Sequence, residues 1–209
     1  MIVDFHTHVF PDKIASPAIA SLEGRAHIKA AIAGTERALC ESMIGAVDVS
    51  IVLPVVTNPQ KTMHLIDFAE QMNARYASAH SAAESGDNVL SCASSQPRII
   101  SFAGIHPDTA DYSAVLAEIA RRGFKGIKIH PDYQNTLIDD IRYERIIARA
   151  SELGLITVVH AGIDIGLPDP VHCPPARARK MIDDVHPQNV VLAHLGGWKQ
   201  WDDVERFLV

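Results

Sequence analysis

The sequence is 209 residues long, 47% hydrophobic and 21% charged, with a formal net charge of −6. That length suits one domain with a sizeable core, and the composition is that of a soluble globular chain. The acidic balance argues against nucleic-acid or anionic-membrane partners, and no apolar run reaches the ~18 residues of a membrane-spanning helix.

The chain opens on a short apolar run, Ile2–His6, with neither the basic region nor the apolar stretch of a secretion signal. Helical turns fit Thr35–Ala46, and a Val/Ile-rich strand follows at Val49–Val55. Leu65, Phe68, Ala69, Met72 and Tyr76 then repeat at the spacing of one apolar helix face. Ser81–Pro97 is rich in Ser, Gly, Asn and Asp and reads as a helix end plus exposed loop. A strand at Ile99–Ile105 precedes a helix at Ser113–Arg122, and a strand at Gly126–His130 follows. Tyr143, Ile146, Ile147, Ala150 and Leu153 form a second apolar face, with Asp139 and Asp140 suited to cap its start and Gly154 just past its end. Strands at Thr157–His160 and Val190–His194 alternate with helices at Pro175–Val185 and Asp202–Leu208. The strands are apolar throughout, as expected when both faces are buried.

This repeated βα order implies an α/β fold with parallel strands and outer helices. An open nucleotide-binding sheet usually carries a Gly-rich turn after its first strand. Here that strand ends in His6-Thr7-His8, which favours a (β/α)8 TIM-barrel type with its site at the C-terminal strand ends. We read residues 1–209 as a single, incomplete domain of about six βα units. Cys40, Cys92 and Cys173 are widely separated and odd in number, so a disulfide framework is not expected and the reading is cytoplasmic.

Alternation along a strand places Asp4, His6 and His8 on one face, where two imidazoles can reach one metal ion. His106, His130, His160 and His194 each stand where an apolar run stops, about one βα unit apart. In a barrel such strand ends converge on one mouth. Lys128 shares a face with His130. The long loop Asp164–Pro175 carries Asp169, His172 and Cys173; Asp169 reads as solvated, whereas His172 and Cys173 are site candidates.

Asp4-Phe5-His6-Thr7-His8, Gly126-Ile127-Lys128-Ile129-His130-Pro131, Val159-His160-Ala161-Gly162 and Ala193-His194-Leu195-Gly196-Gly197-Trp198 together resemble the amidohydrolase-related branch of the amidohydrolase superfamily, which includes aminocarboxymuconate-semialdehyde decarboxylase. The resemblance implies metal ligation by His6, His8 and His160, and a catalytic His194 that polarises substrate or acts as acid/base. It implies a divalent ion, zinc in the first instance, with a second ion possible. Lys128 lies where some relatives carry a carboxylated, metal-bridging lysine; an ordinary lysine that binds an anionic substrate and a buried salt bridge are the other readings. His130 and His172 are expected to face the substrate, while Pro107 marks His106 as a turn residue.

Relatives continue with strands 7 and 8, the latter with a metal-binding Asp that serves as general base. No residue here matches it, and the chain reads as truncated before those strands. Six units would leave the first and sixth strands as unpaired apolar edges, so either a homo-oligomer is expected to cover them or the strand order is disturbed there. The activity implied is metal-dependent hydrolysis of a small, possibly carboxylate-bearing substrate. The alternatives are decarboxylation or hydration at the same site, a degenerate metal-binding barrel without catalysis, and a nuclease-like relative, against which the acidic balance argues.

Overall fold

The computed structural model describes residues 1–85 and 98–209. The chain forms two compact units, Met1–Pro54 with Asp67–Phe102, and Val55–Ile66 with Ala103–Val209.

In the first unit, β1 (Val3–Thr7), β2 (Val49–Val52) and β3 (Arg98–Ser101) form a parallel sheet in that order. Helix α1 spans Asp12–Ala26 and α2 spans Glu36–Met43. The Thr35 side chain accepts the N–H of Ala38 at the start of α2, the arrangement expected of an N-cap threonine. Helix α3 covers Thr62–Ser85; the part of the expected loop beyond Ser85, up to Pro97, lies outside the described residues. The core joins Val9, Leu39, Met43, Val52, Met72 and Ile99, with Phe68 and Tyr76 packed against it, as the helical spacing predicts.

Two features depart from the expectation. Helix α1 gave no sequence signal, because Pro17 lies inside it and only Ala15 is buried. Strand β1 shifts register between Asp4 and Thr7. The shift interrupts regular pairing across the stretch where Asp4, His6 and His8 are expected on one face. Asp4 instead accepts the backbone N–H of His6 at 3.1 Å.

In the second unit, β4 (Ala103–Gly104), β5 (Gly126–Ile129), β6 (Ile156–Val159) and β7 (Val190–Leu192) form a parallel sheet in that order. Lys128 pairs with Gly104 on one side and Val158 on the other. Helices α4 (Tyr112–Arg121), α5 (Ile141–Glu152), α6 (Pro175–Val185) and α7 (Trp201–Phe207) alternate with the strands. The predicted face of α5 is buried at Tyr143, Ile146, Ile147 and Ala150. Asp140 caps its start by accepting from Arg142 N.

The apolar run Ile99–Ile105, expected as one strand, is divided at Phe102 into β3 and β4, which belong to different sheets. The reason is a side chain of α3. The Asn73 side-chain amide donates to the Ser101 carbonyl at 2.9 Å and accepts the Ser101 N–H at 2.7 Å. Those backbone groups are thereby withdrawn from pairing with a further strand. The strands therefore come from six βα units, β3 and β4 sharing one of them. β1 and β7 each lie at an edge of their sheet, with Ile2, Val3 and Val191 exposed. Among the described residues, no helix is long and apolar enough to cross a membrane.

Candidate metal and catalytic centre

In the first unit His6 and His8 converge, with their Nε2 atoms 3.1 Å apart. His8 Nδ1 lies 2.8 Å from the Leu53 carbonyl, which can only accept, so Nδ1 carries the ring proton. Nε2 of neutral His8 is then the lone-pair nitrogen. A backbone carbonyl that fixes the tautomer in this way is the usual second partner of a metal-binding histidine.

The second unit gathers His130, His160 and His194. His130 and His160 stack with ring centroids 4.0 Å apart and planes 12° from parallel. His194 meets His160 edge-on, with Nε2 3.2 Å from His160 Nδ1. Burial holds the His194 imidazole below its ordinary pKa, and the charge of Lys128 adds to the effect. Both His194 and Leu195 have positive φ, near 58° and 54°, in a short 3-10 turn, Leu195 being 85% exposed. Consecutive non-glycine residues in the left-handed region store strain of the kind that gathers at functional sites.

Two carboxylates complete this cluster, and neither was singled out from the sequence. Asp164 Oδ1 accepts the N–H of Gly166, while Oδ2 lies 3.5 Å from His130 Nε2 and 3.9 Å from His160 Nε2. Asp132 Oδ1 is engaged by the backbone N–H of His172 at 3.0 Å and by its ring Nδ1 at 3.1 Å. Asp132 Oδ2 lies 4.0 Å from His160 Nε2, buried without a hydrogen-bond partner. Their sequence signal was proximity: Asp132 is two residues and Asp164 four residues beyond a strand-end histidine.

His130 is held by its own loop. Its backbone N–H donates to Gln134 Oε1, and its Nδ1 accepts the N–H of Tyr133. Gln134 Nε2 donates to the carbonyls of Val56 and Ile105, and Tyr143 OH donates to Gln134 Oε1. Lys128 is wholly buried in β5, and burial pushes its amine down to about 7, partly countered by Cys173. Cys173 is buried too, its thiol held well above the ordinary range by burial and by Asp132. His172 joins the cluster through Asp132, whereas Asp169 is exposed. His106 stays in its own turn, where its Nδ1 accepts the N–H of Asp108. Trp198 stacks edge-on with His194 and with Trp201, and both tryptophans are partly exposed.

A parallel βα chain with histidines at the C-terminal ends of its strands defines a class, that of enzymes on a (β/α)-barrel type of fold. Residues 3–208 match the amidohydrolase family, and the chain belongs to that family. Similar solved structures include 5-carboxyvanillate decarboxylase from Sphingomonas paucimobilis, 14% identical, with a TM-score of 0.54 over 93% of this chain and 68% of that one. The 2,6-dihydroxybenzoate decarboxylase from Rhizobium is 14% identical, with a TM-score of 0.50 over 93% and 66%. A protein described as amidohydrolase II is 13% identical, with a TM-score of 0.55 over 100% and 74%. At these identities the likeness is one of fold, and the chain spans about two thirds to three quarters of their lengths. No curated protein matches the sequence.

The family is metal-dependent, and the residues present fit a divalent ion. In the first unit the His8 tautomer presents Nε2; within the second, the buried Asp132 Oδ2 is an acceptor that no donor satisfies.

Proposed function

We propose that this chain carries the metal-dependent chemistry of an enzyme that hydrolyses a small, carboxylate-bearing substrate, with His6, His8 and His160 as metal ligands and His194 as the catalytic acid/base. The observation that carries the reading is the 3.2 Å contact between His160 Nδ1 and His194 Nε2. A bound divalent ion, zinc in the first instance, supplies Lewis acidity and lowers the pKa of water from 15.7 to about 7. With His160 ligating through Nε2, its ring proton stands on Nδ1 and is donated to His194 Nε2. His194 then keeps its own proton on Nδ1. Its depressed pKa leaves it neutral at pH 7, with the Nδ1–H as the proton it can offer to negative charge developing at the reacting centre. Lys128, His130 and His172 are the groups proposed to favour an anionic substrate; Lys128 does so through its charge, since its side chain is buried.

A second reading, decarboxylation at the same site, is favoured by similar structures that are decarboxylases, those from Sphingomonas paucimobilis and Rhizobium among them. Product analysis on small carboxylic acids and their amides separates the two, since one reaction releases carbon dioxide and the other an amine or alcohol.

The test of the metal reading is elemental analysis of the whole chain beside a His6→Ala/His8→Ala variant. Close to one divalent ion per chain, mostly lost in the variant, is expected; a chain that takes up no added zinc or manganese overturns it. Once a substrate is found, His194→Ala is expected to lower turnover roughly 10²–10⁴-fold with the metal content unchanged.

A further inference from the structure

We infer that Asp164 and Asp132 are carboxylate ligands of the ion held by His160, and that His130 positions Asp164 instead of binding the ion. The inference rests on the proposed function only in taking His160 as a ligand. It assigns the negative charge of the site to two residues of the second unit that no motif marks.

The geometry supports it in three ways. Each carboxylate has one oxygen fixed from behind: Asp164 Oδ1 by Gly166 N at 2.8 Å, and Asp132 Oδ1 by His172 N at 3.0 Å. That leaves both Oδ2 atoms directed at His160 Nε2, at 3.9 and 4.0 Å. Donor atoms about 2.0–2.2 Å from a divalent ion stand roughly 3.0–3.6 Å apart in four- to six-coordinate geometries, so modest closure suffices. Asp132 Oδ2 is buried and receives no hydrogen bond, which is costly for a carboxylate unless a cation or proton meets it. Finally, His130, His160 and Asp164 offer ligand atoms within 4.8 Å of one another. Of these, His130 is set apart by its tautomer. Its Nδ1 accepts from Tyr133 N at 3.3 Å, so its proton stands on Nε2, 3.5 Å from Asp164 Oδ2. The His130 Nε2–H thus faces the carboxylate and aims it.

The test is titration of the metal-free full chain with cobalt(II), followed by its visible absorption, in Asp164→Asn, Asp132→Asn and His130→Gln, with Asp169→Asn as the exposed-loop control. The two carboxylate variants are expected to bind cobalt at least ~10-fold more weakly and to change the spectrum, His130→Gln to have a smaller effect, and Asp169→Asn none. Asp132→Asn is also expected to melt higher than the parent when metal-free, since it removes a buried carboxylate oxygen that receives no hydrogen bond; a residue needed only for structure would melt lower. Parent-like cobalt binding in both carboxylate variants overturns the inference while the metal reading stands. A parent chain that binds no cobalt overturns both. If Asp164→Asn fails to fold, Asp164→Glu and Asp132→Asn carry the same comparison.

Discussion

Lys128→Met is expected to melt well above the parent chain at pH 7 and below, with the gap closing as the pH approaches 10.5. Lys128 is wholly buried, and its amine titrates near 7 instead of 10.5. Between those values the unfolded chain holds a proton that the folded chain lacks, so stability rises with pH. The penalty is complete below about pH 7 and absent above 10.5. At ~1.4 kcal/mol per pH unit it approaches ~5 kcal/mol, an upper figure that relaxation around the charge will reduce. Methionine matches the length of the stem and removes the charge. Thermal melts at pH 6, 8 and 10.5, run with a chelator, check this. A Tm difference that does not vary with pH would show that the amine is not desolvated as described.

Gly162→Ala should abolish soluble folding or destabilise the chain by more than ~4 kcal/mol, at the severe end for single substitutions. A Cβ at Gly162 would stand 2.0 Å from Trp198 N and 2.5 Å from Gly197 C, both backbone atoms. The segments are tied there by Trp198 N donating to Ala161 O and Ile163 N donating to Trp198 O. No rotamer change relieves a clash between two backbones. Gly154→Ala is the control. Gly154 shares the left-handed φ, at +70° against +82°, yet nothing lies within 4 Å of its Cβ position. It should cost only the ~1–2 kcal/mol of the conformation itself. Urea unfolding of both variants separates crowding from strain, and equal costs would rule out the close approach.

The strands and the strand-end histidines were legible because burial on both faces leaves uninterrupted Val/Ile runs, and His130, His160 and His194 each follow one. Helix α6 was legible to its ends, with Pro175 a local signal at its first position. Other features depended on distant partners. Nothing near Phe102 announces that the chain changes sheet; the cause is Asn73, 28 residues earlier. Helix α1 buries little, so no apolar stripe betrays it. At the site, recurrence brought out His106 beside His130, while Pro107 marked His106 as a turn residue, and it serves its turn. Recurrence passed over Asp132 and Asp164, whose meaning depends on the loops that turn them back toward His160.

Gln134 has a chemical consequence of its own. Its nitrogen faces two carbonyls, those of Val56 and Ile105, and its oxygen receives the His130 N–H and the Tyr143 hydroxyl. Carbonyls only accept, so the amide has a single admissible orientation. Hydrolytic loss of ammonia from this side chain would exchange one nitrogen for oxygen and set lone pairs against both carbonyls. The position of His130 thus depends on the chemical ageing of one amide, which its deep burial slows by keeping water away.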